Sequence, residues 1–465
     1  MNKIFEDVIN RVPDYKEFMT VDEMNSASKA LAKKYPDIVE EFEFGTTRDG
    51  DKIIGLKIGK GRQNALVFGL PHPNEPIGTM MLDYFTKELA ENNKLRDELN
   101  YTWYIVKAWD SDGTRLNEGW FKGPFTLYNY ARNFFRPAGH QQVDWTFPIE
   151  YKELKFTDSI PETVAMMHLI DKIKPRFIYS LHNAGFGGVY WYLSRDIPKV
   201  YAGLKEAAKK QNVPLNLGEP EAPYCKAFAP AIYKELGIRD NYDYLEKYGV
   251  KDIPKAIGVG TCSADYAGEK YKSFTMLTEL PYFYSEKIID LSDSGENRGE
   301  IVRKSLEENR KSEAFILDSL KKTRKYMAKN NPFLLALDAF TGRKDDYEAA
   351  VKMTYEDENY SKKNATVAEK FDNEWIKKFY KMLSFGLLTR ANETELFKMK
   401  KAKEENKEKE KEKALSNEFN AAEKKLQVLS DELEANIKYS VVPIKKLVSI
   451  QLECGLLVAE YLKNV

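Results

Sequence analysis

The sequence predicts an α/β fold: a mixed, mostly parallel sheet with helices on both faces, followed by a mostly α-helical C-terminal region. Two observations lead there. Apolar runs alternate with stretches of helical spacing through the first 290 residues, the pattern of a sheet covered by helices. Seventeen of the 19 prolines fall at or before Pro281, and five of the 26 glycines lie after residue 290. Beyond that point the chain carries few residues that interrupt a helix. The change falls near LSDSGENRGE (291–300). It divides the chain into an expected globular domain, 1–290, and a helical region, 300–465.

The elements follow in order. EFEFGTTRDGDKIIGLKIG reads as a hairpin with Asp49 and Gly50 near its turn. NALVFGL (64–70), YTWYIVKAW (101–109), RFIYSL (176–181) and SFTMLTEL (273–280) read as buried strands. Between them, EPIGTMMLDYFTKELAENN and PETVAMMHLIDKIK carry helical spacing. In the helical region, KMKKAKEENKEKEKEK (398–413) reads as a solvated charged helix. Leu415, Phe419, Ala422, Leu426, Leu429 and Leu433 then form a short heptad seam. That seam fits an intramolecular helical hairpin or a homo-oligomer.

Composition excludes several classes. Lys plus Arg and Asp plus Glu are both 72, and this neutral balance argues against nucleic acid as a partner. No apolar run is long enough to span a membrane. The opening residues, MNKIFEDVINRVPDYKEF, carry acids where a signal peptide needs an apolar core. The three cysteines cannot build a disulfide framework, so a reducing, cytoplasmic setting is expected.

The chemistry concentrates around the histidines, of which the chain has four. His72 follows NALVFGLP and His182 follows RFIYSL, so each stands where a strand ends. Sites in open α/β sheets form beyond the carboxyl ends of strands. Glu75 lies three residues after His72, at the entry to a helix. Two imidazoles and one carboxylate make the three-ligand set of a catalytic zinc, with water in the open position. A capping glutamate and a surface histidine would show the same H-x-x-E spacing. His168 reads as a satisfied, partly buried histidine, and His140 lies in a polar loop without an assigned role. Glu279 interrupts the apolar strand FTMLTELPYF. A carboxylate there is costly unless it faces a polar site or pairs with an arginine. There is no phosphate-binding, dinucleotide-binding or G-x-S-x-G motif. No histidine adjoins Cys262 to make it a nucleophile.

In order along residues 40–285, these segments resemble the zinc carboxypeptidases of the carboxypeptidase A-like (funnelin) group. TRDGDKIIGLKIG resembles the early hairpin of that family. PHPNEPIG resembles its first zinc motif, which implies His72 and Glu75 as ligands. WDSDGTRLNEG resembles its N-P-D-G and R-x-N elements, implying Arg115 as the arginine that polarises the scissile carbonyl. YSLHNAG implies His182 as third ligand, and the stretch ending in FTMLTEL implies Glu279 as catalytic base. Asn129 to Phe134 resembles the D-x-N-R-N-F segment, implying that Arg132 and Asn133 bind the substrate carboxylate. Ala131 replaces the usual asparagine, and Arg136 is an alternative anchor. Tyr242, Tyr244 and Tyr248 lie in the region of the family's mobile tyrosine.

The resemblance implies a catalytic domain over 1–290 that holds one Zn2+ per chain. It implies hydrolysis of an amide beside a free carboxylate in a peptide or peptide-like substrate, cell-wall peptides among them. Two alternatives stay open: a zinc-dependent deacylase of N-acyl amino acids, and a peptide-binding or interaction protein of reduced activity. The five residues expected to hold and work the metal all precede residue 290, so the helical region is expected to serve solubility or assembly rather than zinc binding.

Overall fold

The structure, a computed structural model, describes residues 2–402 and 409–464. The expected hairpin forms β1 (Val39–Thr46) and β2 (Lys52–Ile58), antiparallel, with Gly50 at φ 93° in the turn. That left-handed backbone is one glycine adopts without steric cost. The next apolar runs become β3 (Gln63–Phe68), β4 (Tyr101–Val106) and β5 (Phe177–His182). Three shorter strands follow: β6 (Tyr190–Leu193), β7 (Ala227–Ala229) and β8 (Ile232–Lys234). SFTMLTEL becomes β9 (Phe274–Glu279). The nine strands form one mixed sheet in the order β1-β2-β4-β3-β5-β9-β6-β8-β7. Its centre, β4, β3, β5 and β9, is parallel.

The central strands are apolar on both sides because both faces are covered. Ala65 and Val67 of β3 join one core, and Leu66 and Phe68 join the other. Helices α1 (Ile77–Glu91) and α2 (Leu127–Asn133) contribute to the first core. Helix α3 (Pro161–Ile173) fills the second with Met166, Leu169 and Ile170. A Cβ on Gly78 would stand 2.4 Å from that of Leu181, so α1 lies tight against β5 only because this residue is glycine.

Past residue 290 the chain is mostly helical, as expected, and it does two separate things. Phe283 and Tyr284 pair antiparallel with Val441 and Ser440, so the chain leaves and rejoins the α/β body at one place. Between those points run α4 (Arg298–Thr323), α5 (Lys377–Ala402) and α6 (Lys409–Asn436). After the return, α7 (Ile444–Leu462) packs on the sheet itself, with Leu447, Ile450 and Leu456 in the first core. Residues on both sides of 291–300 share one continuous apolar core.

The heptad seam is used within the chain. Leu415, Ala422, Leu426 and Leu433 are buried, and α6 runs back along α5 with Lys378 paired to Glu432. The hairpin reading therefore holds, and the seam is not left open for a homo-oligomer. Of the charged run 398–413, residues 403–408 lie outside the described residues. Among the described residues no helix is long and apolar enough to cross a membrane.

Candidate active site

The site forms where the sheet changes direction. From β3 the chain crosses to β4 on one side, while β5 occupies the other, and a crevice opens at the carboxyl ends of such strands. Leu70, at φ 54°, turns the chain out of β3, and His72 and Glu75 follow before α1 begins. His182 is the last residue of β5. Asn183, directly after it, accepts the backbone N–H of Ile77 through its Oδ1 at 3.1 Å. That bond ties the start of α1 to the end of β5, fixing His72 and Glu75 relative to His182.

The three side chains converge. Nδ1 of His72 lies 3.0 and 3.1 Å from the Glu75 oxygens, and Nδ1 of His182 lies 3.0 Å from Glu75 Oε2. The two Nδ1 atoms are 3.2 Å apart. Hydrogen bonds alone do not satisfy this arrangement. Both nitrogens would need protons to bond the carboxylate, and the protons would then face each other. A cation at the common focus satisfies all three lone pairs. Bonds of about 2.0–2.2 Å place neighbouring ligands of a tetrahedral ion roughly 3.3 Å apart, close to the spacing found. His182 Nε2 meets Ser180 Oγ at 2.7 Å, which leaves Nδ1 free as a ligand. These residues therefore fit a zinc ion.

Burial sets the charges. It lowers the His72 imidazole to about 3, so the ring is neutral and its lone pair available. Burial also pushes the Glu75 carboxyl up, but His72 and His182 outweigh it and hold the group well below the usual carboxylate range. Glu279 Oε1 lies 3.7 Å from His182 Nδ1. Burial, then the charges of Glu75 and Glu221, push its carboxyl well above the ordinary range. A carboxylate so placed has a strong affinity for a proton.

The triad and Glu279 open onto a cavity of about 560 Å3. Arg136 lines it, with Nη1 3.5 Å from Glu75 Oε1. The other two arginines expected at the site stand elsewhere. Arg115 is exposed and pairs with Asp22 and Asp51 at 2.9 Å each, outside the cavity. Arg132 turns away to Glu393 of α5 at 2.8 Å and Glu423 of α6 at 3.0 Å. Asn133 spends its amide on Asn129 and packs against Gly119. Local spacing could not show this, because the carboxylates that capture Arg132 come from helices more than 250 residues further on. The tyrosines in the region of the family's mobile tyrosine also stand apart from the cavity. Tyr242 and Tyr248 are buried in a separate cluster and Tyr244 packs on Tyr224, so none of the three lines the cavity. His168 is exposed rather than partly buried, and His140 lies outside the cavity.

Five residues that line the cavity were missed from sequence. Asn183 is buried in its wall with Nδ2 unpartnered. Glu221 enters from a loop, held by tyrosines of β6. Lys377, Tyr380 and Ser384 enter from α5, so the helical excursion forms one wall of the cavity. A Cβ on Gly386 would fall 1.9 Å from the Ala131 carbonyl oxygen, so glycine is what lets α5 seat against α2. The adjacency of Asn183 to His182 was the one available signal.

The sequence model of the zinc carboxypeptidase family matches residues 24–246. The match covers just under half of the chain and includes His72, Glu75 and His182 but stops short of Glu279. Carboxypeptidase B of Astacus astacus is 27% identical over 105 residues, covering 22% of this chain and 35% of the relative. The chain thus aligns with about a third of that relative's length. Among solved structures, the metallo-carboxypeptidase of Burkholderia cenocepacia is 13% identical, with a TM-score of 0.33, over 57% of this chain and 60% of its own. Carboxypeptidase A of Helicoverpa armigera is 13% identical, with a TM-score of 0.36, over 60% and 70%.

Proposed function

We propose that this chain is a zinc-dependent carboxypeptidase-like hydrolase that cleaves the amide bond beside a free carboxylate in a peptide or peptide-like substrate. The observation that carries the reading is Glu279 against His182 at the edge of a ligand set that fits zinc, inside a cavity large enough for a small peptide. His72, Glu75 and His182 would hold the metal. Zinc, when bound in an open site, supplies a Lewis acid that polarises the carbonyl and acidifies water. Glu279 takes a proton from the attacking water and delivers it to the departing amine, the two halves of general acid–base catalysis by one carboxyl. Burial and the neighbouring carboxylates favour its protonated form, which suits the second half.

Arg136 takes the role first expected of Arg132. Its guanidinium is the arginine on the cavity wall, and its planar fork suits a carboxylate. Asn183 Nδ2, buried and unpartnered, supplies a donor for a substrate oxygen. A panel of peptides with free or amidated C-termini, followed by mass spectrometry, tests the reading. Release of single C-terminal residues from the free acids alone is expected. Cleavage of both sets alike, or release of acyl groups instead, would replace the carboxypeptidase reading with that of a broader amidase or a deacylase.

A further inference from the structure

Arg136, the arginine on the cavity wall, stands in a loop that the helical excursion holds from outside. Arg390 of α5 donates through Nη1 to the backbone carbonyls of Asn133 at 2.7 Å and Phe134 at 3.1 Å. Asn133 ends α2, and Phe134 caps it in an extended conformation. The last carbonyls of a helix have no partner within it, so a guanidinium there supplies what the helix lacks. The same guanidinium lies over the ring of Phe333, 4.3 Å from its centre. Phe333 in turn packs edge-on against Phe135, with ring centres 5.4 Å apart.

The residues on either side of Arg136 are gripped as well. Asn117 accepts the Phe135 N–H through Oδ1 and donates through Nδ2 to the Phe135 carbonyl, both at 2.9 Å. Gln142 Nε2 donates to the Pro137 carbonyl at 3.1 Å. Asn117 and Gln142 belong to the α/β body, whereas Arg390 reaches back from more than 250 residues further on. Among the described residues Arg390 has no ion-pair partner, while Arg132 is taken by Glu393 and Glu423. Burial, then the charge of Arg132, push the Arg390 guanidinium down to about 10. A cation withdrawn from water without a carboxylate is costly unless its hydrogen bonds are well used. Here they fix the backbone just before the cavity arginine.

We infer that Arg390 is a positioning residue for Arg136: by holding the Asn133 and Phe134 carbonyls it aims the Arg136 guanidinium into the cavity, so that recognition of a substrate carboxylate depends on the helical excursion. The inference rests on the reading of Arg136 as the carboxylate anchor. Arg390 does not itself line the cavity. Its effect passes through the direction of another side chain, where a small misplacement is expensive.

The test is calorimetric binding of a peptide with a free C-terminus and of its amidated counterpart. It uses zinc-loaded full-length protein carrying Glu279→Gln, so that the peptide is not consumed. This background is expected to favour the free acid by about ten- to a hundredfold. Arg136→Ala should abolish the preference. Arg390→Met, which removes the donors but keeps an extended apolar side chain, should cut it at least about threefold and leave the affinity for the amidated peptide within about twofold. Added to Arg136→Ala, it should change nothing further, because no guanidinium remains to be aimed. A general loosening of the fold would weaken both peptides alike and would add to Arg136→Ala. Either result would overturn the positioning role, as would an unchanged preference in Arg390→Met. Absence of any free-acid preference in the background would overturn anchor and positioning together. Should Arg390→Met fail to fold, Arg390→Lys, whose compact ammonium replaces the planar fork by a point donor, carries the same readouts with a smaller loss. Cleavage by the protein without Glu279→Gln separates the two claims. A preference reduced in Arg390→Met, with no peptide cleaved, would keep the positioning role and reject the hydrolase. Release of single C-terminal residues, with a binding preference indifferent to Arg390, would do the reverse.

Discussion

Gln451 of α7 donates through Nε2 to the backbone carbonyl of His182 at 3.2 Å. A helix far along the chain thus holds the strand end that carries His182 of the candidate metal cluster. The same helix accepts Tyr179 Oη at the Gln451 carbonyl, 2.8 Å, and Tyr101 Oη at the Ala459 carbonyl, 3.1 Å. The helical region, expected to serve solubility or assembly more than zinc binding, thus also contacts the strand end beside the candidate metal cluster. A protein lacking residues 440–464 is expected to lose zinc and to aggregate, because α7 covers one face of β5. A soluble truncated protein with full zinc content would contradict this. Leu456→Ala should cost about 2–5 kcal/mol in denaturant unfolding, the range for a buried leucine.

Zinc binding should grade with distance from the focus. Ser180→Ala removes the partner of His182 Nε2 and should weaken zinc by roughly 10–100-fold, as such outer contacts do. His182→Ala removes a ligand and should weaken it further. Competition with a chromophoric chelator measures both. Full stoichiometry and affinity in His182→Ala would remove that residue from the metal site.

The two arginines should separate by readout. Arg136→Ala is expected to lower kcat/KM about ten- to a hundredfold on a free-acid peptide, with a smaller loss on the amidated one. Arg132→Ala is expected to leave kcat/KM within about threefold and to cost about 1 kcal/mol of stability, since its partners Glu393 and Glu423 are partly exposed. The reverse pattern would restore Arg132 as the carboxylate anchor.

Stability should also depend on Asp110. Burial pushes its carboxyl up to about 7, above its unfolded value, so the folded protein binds a proton that the unfolded chain releases. The sign follows from that excess: this contribution is complete below the unfolded value and is lost as pH rises through about 7. The loss is on the order of 4 kcal/mol by linkage. Asp110→Asn should flatten that stretch of the stability–pH curve in urea unfolding. An unchanged slope would show that Asp110 ionises normally.

The sheet and the residues of the His72, Glu75 and His182 cluster were legible in the sequence because both are local. Each central strand is a short apolar run, and His72, His182 and Glu279 stand at or beside the ends of such runs, where the parallel register brings them together. The hairpin around Gly50 was legible for the same reason. What was not legible depends on distant partners. Arg115 and Arg132 sit in segments that resemble family motifs, yet Asp22, Asp51, Glu393 and Glu423 claim them, and a guanidinium's direction is not encoded in its neighbours' identities. Nor did proline and glycine spacing distinguish α7, which is part of the sheet's cover, from the excursion that walls the cavity, since both are simply helix.

The central claim is that Glu279 works beside a metal held by His72, Glu75 and His182. Zinc content and release of the C-terminal residue, measured on the same preparations of wild type and Glu279→Gln, test it most directly. The variant keeps the carboxyl's shape but cannot take the proton. The account predicts about one zinc per chain in both proteins and turnover lower in the variant by about 10²–10⁴-fold. Undiminished turnover in a zinc-loaded Glu279→Gln protein would contradict it.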